Sequence, residues 1–110
     1  MKNILLIDDC AITGMLIKAM LKDCNVTSVE TGHEALEYIS ENKYDIIILD
    51  NGLPDIKGNV IYNIIREKDE DVRIFLFSGG TDLDDLLVLN ENNDILRKPF
   101  RMKELKDLIK

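Results

Sequence analysis

Asp45-Ile46-Ile47-Ile48-Leu49-Asp50 sets three isoleucines and a leucine in a row between two carboxylates. Successive side chains of a strand point to opposite faces, so a run without polar alternation leaves neither face for water. Residues 45–49 therefore read as a strand buried on both sides, the kind found in parallel sheets covered by helices. The flanking sequence supplies the rest of such a fold. Asn3–Ile7 is an apolar run that ends in Asp8-Asp9, and Val26–Val29 is a shorter one. Arg73–Phe77 precedes Ser78-Gly79-Gly80, and Asp94–Arg97 is stopped by Lys98-Pro99. Helical patterns lie between these runs. Ile12, Met15, Leu16, Ala19 and Met20 follow the spacing of one helix face, as do Ala35, Leu36 and Ile39 after the Thr31-Gly32 turn. Val60, Ile61, Ile64 and Ile65 mark a third helix. Leu83, Leu86 and Leu87 mark a fourth, and Met102, Leu105, Leu108 and Ile109 a fifth. Strands and helices alternate without linker or repeat. This predicts an α/β fold, a doubly wound (βα)5 three-layer sandwich around a parallel sheet.

Composition bounds the function. The chain has 110 residues, a formal net charge of −7, 45% hydrophobic and 32% charged residues. That suits one globular domain and excludes wholesale disorder. Its apolar runs fall far short of the ~20 residues of a membrane span, and Asp8 and Asp9 interrupt anything resembling a signal peptide. No membrane role is expected. Cys10 and Cys24 form no disulfide framework and point to a reducing, cytoplasmic setting. The acidic balance, with few scattered aromatics, argues against direct nucleic-acid binding. Charge is uneven: residues 97–110 carry +4, against −11 for the remainder. This fits either a solvated last helix or a basic patch for a partner.

Ligands of doubly wound sheets sit at the carboxyl ends of the strands. Asp8 and Asp9 follow the first strand, Asp50 the third, Ser78 the fourth and Lys98 the fifth. Each alone has an ordinary reading as a cap, turn or surface residue. Together they deliver three carboxylates, a hydroxyl and an ammonium to one rim. Converging carboxylates repel unless a cation joins them. All-oxygen donors in a sparse set suit Mg2+. A carboxylate-held metal beside Lys and Ser is an arrangement for handling phosphoryl groups, and one carboxylate can itself be the nucleophile.

At this point the chain resembles the receiver domain of two-component response regulators, the CheY-like family. The resemblance rests on Asp8-Asp9, Ile48-Leu49-Asp50, Pro54 and Gly58, Ser78-Gly79, Lys98-Pro99-Phe100 and Gly32-His33-Glu34-Ala35-Leu36. It spans essentially the whole chain and implies one receiver domain over residues 1–110, flavodoxin-like, with sheet order 2-1-3-4-5. It further implies Asp50 as phosphoacceptor in a cytoplasmic phosphorelay. Mg2+, with Mn2+ as the alternative, would be held by Asp8, Asp9, Asp50 and the Gly52 carbonyl. Lys98 would pair with the phosphoryl group and Ser78 would hydrogen-bond it. The implied donor is a sensor histidine kinase or a histidine phosphotransfer protein. The implied output is a downstream effector bound at the face of helix four, strand five and helix five. Such a domain is no classical enzyme; it catalyses its own phosphorylation and slow autodephosphorylation. With no DNA-binding segment after Lys110, it is expected to act as a diffusible carrier or relay intermediate.

Several residues depart from the family pattern. Ile95 stands three before Lys98, where the family has Tyr or Phe, so the usual aromatic switch is missing. This keeps a second reading open, a receiver-like interaction module that works without phosphorylation. Gly52 and Gly80 offer no side chain at positions that tune hydrolysis in the family. Asn51 is less apolar than usual, and the 78–98 segment is short, which predicts a truncated fourth helix. A fainter likeness of Leu49–Leu53 to haloacid dehalogenases fails because Gly52 replaces the second Asp that protonates a leaving group. His33 reads as an exposed loop residue. Cys10 reads as filler whose thiol nearby carboxylates push up. Val88 and Leu89 fit equally an exposed contact and a buried helix.

Overall fold

The computed structural model describes residues 2–50, 52–78 and 93–97. Its elements are β1 (Asn3–Ile7), α1 (Ala11–Met20), β2 (Asn25–Val29), α2 (Gly32–Glu41), β3 (Ile46–Asp50), α3 (Gly58–Lys68), β4 (Arg73–Ser78) and β5 (Asn93–Arg97). The five strands form one sheet in the order β2-β1-β3-β4-β5, and every pairing is parallel. The doubly wound fold and its order are as expected. The segments expected to form a fourth and a fifth helix, Val88, Leu89 and the basic tail beyond Arg97 lie outside the described residues.

Alternation along the strands makes the three layers. On one face, Leu5 and Ile7 of β1, Ile47 and Leu49 of β3, and Ile74 and Leu76 of β4 pack against Ala35 and Ile39 of α2 and Ile61 and Ile65 of α3. On the other face, Ile4, Leu6, Ile46, Ile48 and Phe75 pack against Ile17 of α1 and Leu21. All four residues of Ile46–Leu49 are buried, so the central strand meets no water on either side. This is the physical meaning of its unbroken apolar run.

Two helices bury different residues from those their spacing suggested. In α1 most of the expected stripe faces outward: Ile12 is 67% exposed, Met15 70% and Leu16 52%, while Met20 packs partly on the core. The buried positions are Gly14 and Ile17. The Gly14 side comes close to the edge strand: a Cβ there would lie 2.7 Å from the Ser28 Oγ, a hydroxyl at the end of a rotatable side chain. In α3, Ile61 and Ile65 are buried, whereas Val60 and Ile64 are 44% and 36% exposed. Half of that stripe meets the core.

Candidate functional site

Strand register brings the rim carboxylates together. β1 and β3 are neighbours, with Ile7 across from Leu49. Asp8 and Asp50 therefore leave the sheet side by side. The chain turns after Asp8, whose carboxylate accepts a hydrogen bond from the Cys10 amide at 2.9 Å. Its own amide donates to the Val29 carbonyl at 3.1 Å. Asp50 closes β3, and its Oδ1 accepts the Gly52 amide at 3.1 Å. These amides orient the two carboxylates and partly offset their charge.

Asp8, Asp9 and Asp50 offer oxygens that all lie within 4.8 Å of one another. Asp8 and Asp50 are buried at 2% and 4% exposure, the only buried polar or charged residues among those described, and Asp9 is exposed. Buried carboxylates are rare unless paired or joined to a cation. The donor set is all oxygen, two members are fixed and one is open to water. This fits a hard divalent cation that keeps part of its hydration shell.

The remaining expected site residues fall as follows. Gly52 is exposed beside Asp50, and its amide donates to the carboxylate. A Cβ there would stand 3.6 and 4.0 Å from the two Asp50 oxygens, an ordinary contact. Ser78 ends β4, one residue past Phe77, which is in register with Asp50, and it pairs with Arg97 of β5. Ile95 is in register with Leu76. For Ser78 and Ile95 the backbone alone is described. Lys98, Asn51 and Gly80 lie outside the described residues.

Two expectations near the site are corrected. The Cys10 thiol is lowered rather than raised: the Thr13 hydroxyl and amide outweigh the upward push of Asp8. His33 is exposed, but it belongs to the first turn of α2 rather than to a loop, and its Nδ1 meets the Asp55 carboxylate.

Asp55 itself went unnoticed in the sequence. It lies in the loop between β3 and α3, and its Oδ1 accepts the Gly32 amide at 2.8 Å. Its Oδ2 accepts the His33 amide at 3.0 Å. These bonds, the Gly32 amide first, hold its carboxyl well below the usual carboxylate range. Any sequence signal is faint: Thr31 can cap α2 only in part, so amides remain that need an acceptor from elsewhere.

Comparison with known proteins agrees with this fold. The family model for the response regulator receiver domain matches residues 4–110. The transcriptional regulatory protein KdpE of Staphylococcus aureus is 34% identical over 99% of this chain and 48% of its own length. The regulatory protein VanR of Enterococcus faecium is 36% identical over 94% of this chain and 46% of its own. The chain thus spans under half the length of these relatives. Among solved structures, the response regulator protein TrrA from Thermotoga maritima, in complex with Mg(2+)-BeF, superposes with a TM-score of 0.86 at 31% identity, covering 99% of this chain and 96% of that one.

Proposed function

The chain belongs to the response regulator receiver domain family, and on that premise we propose that it accepts a phosphoryl group on Asp50 in a Mg2+-dependent reaction. One observation carries this reading: the oxygens of Asp8, Asp9 and Asp50 meet within 4.8 Å at the carboxyl edge, with Asp50 fixed at the end of the buried central strand. The donor is a phosphohistidine on a sensor kinase or phosphotransfer protein. An Asp50 oxygen attacks phosphorus, the P–N bond breaks, and the imidazole leaves with its electron pair and takes up a proton. Asp8, Asp9, Asp50 and the Gly52 carbonyl would hold the metal, which neutralises phosphoryl charge in transfer. The complex of TrrA with Mg(2+)-BeF supports Mg2+ as the ion. Lys98 would pair with the phosphoryl oxygens and Ser78 would donate to one. The domain is a signalling module rather than a classical enzyme; its chemistry is its own phosphorylation and slow hydrolysis. A cytoplasmic setting and an effector bound at the face containing β5 complete the proposal.

Ile95 favours a second reading. Without an aromatic side chain there, phosphorylation would change partner affinity little, and the domain would act chiefly as an interaction module. Only differential affinity moves a two-state equilibrium. Incubation with a small phosphodonor, followed by intact-mass measurement, tests the main reading. One added phosphoryl group is expected with Mg2+, and none in chelator or in Asp50→Asn. A wild-type chain that stays unmodified with both donor and Mg2+ present overturns it.

A further inference from the structure

The loop after Asp50 is tied to a second element by an interaction that the phosphoacceptor reading does not use. An α-helix begins with four amides that have no partner inside the helix. In α2 those of Gly32, His33 and Glu34 each have one. The regular ladder starts where the Ala35 amide donates to the Thr31 carbonyl at 3.1 Å; just before it, the Glu34 amide donates to the Thr31 Oγ1 at 3.2 Å. The amides of Gly32 and His33 go to the Asp55 carboxylate. Thr31 thus caps one of these three amides, and the loop after β3 caps the other two. The fit is close on the apolar side as well. Ile56 packs on the core cluster, and a Cβ on Gly32 would come within 2.9 Å of the Ile56 Cβ. A carboxylate on two amides of a helix N-terminus also gains from the helix dipole.

The same loop bears Gly52, whose amide holds Asp50 Oδ1. One short segment is therefore fastened at Asp50, at the core through Leu53 and Ile56, and at α2 through Asp55. We propose that Asp55 is a positioning residue for Asp50: by clamping the β3–α3 loop to the N-terminus of α2, it keeps the Gly52 amide on the acceptor carboxylate. This rests on the reading of Asp50 as phosphoacceptor, but its structural part can be tested apart from that reading.

The test compares Asp55→Ala with Thr31→Ala in the full chain. Both remove caps from α2, so both lower helix stability, but only the first frees the loop. Amide hydrogen exchange at Gly52 is read by NMR, and phosphorylation by a small donor is read by mass. In Asp55→Ala, Gly52 is expected to exchange roughly tenfold faster or more, the change implied by losing one charge-assisted hydrogen bond. Phosphorylation should slow in parallel. In Thr31→Ala both readouts should stay within about twofold of wild type, since that cap bond belongs to the helix alone. Equal changes in the two variants would reduce Asp55 to a helix cap and overturn the proposal. So would unchanged Gly52 exchange in Asp55→Ala. Should the wild-type chain take no phosphoryl group, the phosphoacceptor reading fails, and Gly52 exchange still decides whether the clamp exists.

Discussion

Replacing Asp50 with asparagine should stabilise the metal-free protein. The three carboxylates bring oxygens within 4.8 Å of one another, and a pair of charges at that distance repels by roughly 3.5 kcal/mol at an effective dielectric of 20. Asp9 is exposed, so water and salt screen its share. The Cys10 and Gly52 amides, together with the other interactions of Asp8 and Asp50, offset part of the rest. Asparagine keeps the volume of aspartate and still offers an oxygen to the Gly52 amide, so the substitution removes charge and little else. About 1–2 kcal/mol of added stability should remain after these discounts. Urea denaturation in chelator reads this directly, provided the slope is unchanged. Mg2+ should reverse the order. At a hundredfold excess over its Kd, a ligand that binds only the native state adds about 2.7 kcal/mol. The wild-type chain should gain that much and Asp50→Asn far less. An Asp50→Asn variant less stable than wild type in chelator, or Mg2+ raising both equally, would refute the claim that these carboxylates form a strained cation site.

Other consequences can be checked on purified protein. Gly14→Ala should change stability by less than about 1 kcal/mol, since alanine's helix preference offsets displacement of the Ser28 hydroxyl 2.7 Å away; in a Ser28→Ala background the contact is gone and the same substitution should stabilise, as a urea double-mutant cycle would show. Ile48→Ala should cost about 2–5 kcal/mol, whereas Ile12→Ser, at a position 67% exposed, should stay within about 0.5 kcal/mol; similar losses in the two would contradict the outward turn of the α1 stripe. The Asp55 carboxyl is lowered in the fold, so on acidification the unfolded chain takes up this proton first. Its contribution to stability is complete above the unfolded value, about 3.9, and is lost from there downward; Asp55→Asn should flatten that acid arm of a stability profile, and an unchanged arm would contradict the clamp.

Much of this molecule is legible in its sequence, for identifiable reasons. Ile46–Leu49 has one physical solution, a strand between two layers, and that fixes where Asp50 emerges. Asp8 then meets Asp50 because β1 lies beside β3, an order that the resemblance to receiver domains implied and that the register bears out. The helix faces were harder. Ile12, Met15 and Leu16 have the spacing of a core stripe, yet Gly14 and Ile17 are the buried positions, with Gly14 set against Ser28 of β2. Spacing reports that a helix has an apolar face; steric fit decides which face turns inward. Asp55 was hidden for another reason: its partners lie more than twenty residues upstream, and no local pattern names the acceptor that completes a distant cap. The lowered Cys10 thiol likewise depends on Thr13, in the first turn of α1, which outweighs the charge of Asp8.

The central claim is that Asp50, of the three clustered carboxylates, carries the phosphoryl group. Borohydride reduces an acyl phosphate to the alcohol and leaves free carboxylates alone, so peptide mapping after donor treatment and reduction identifies the acceptor. The account predicts homoserine at residue 50 alone, formed only when Mg2+ accompanies the donor. Homoserine at residue 8 or 9, or none in a treated chain with Mg2+ present, would contradict it.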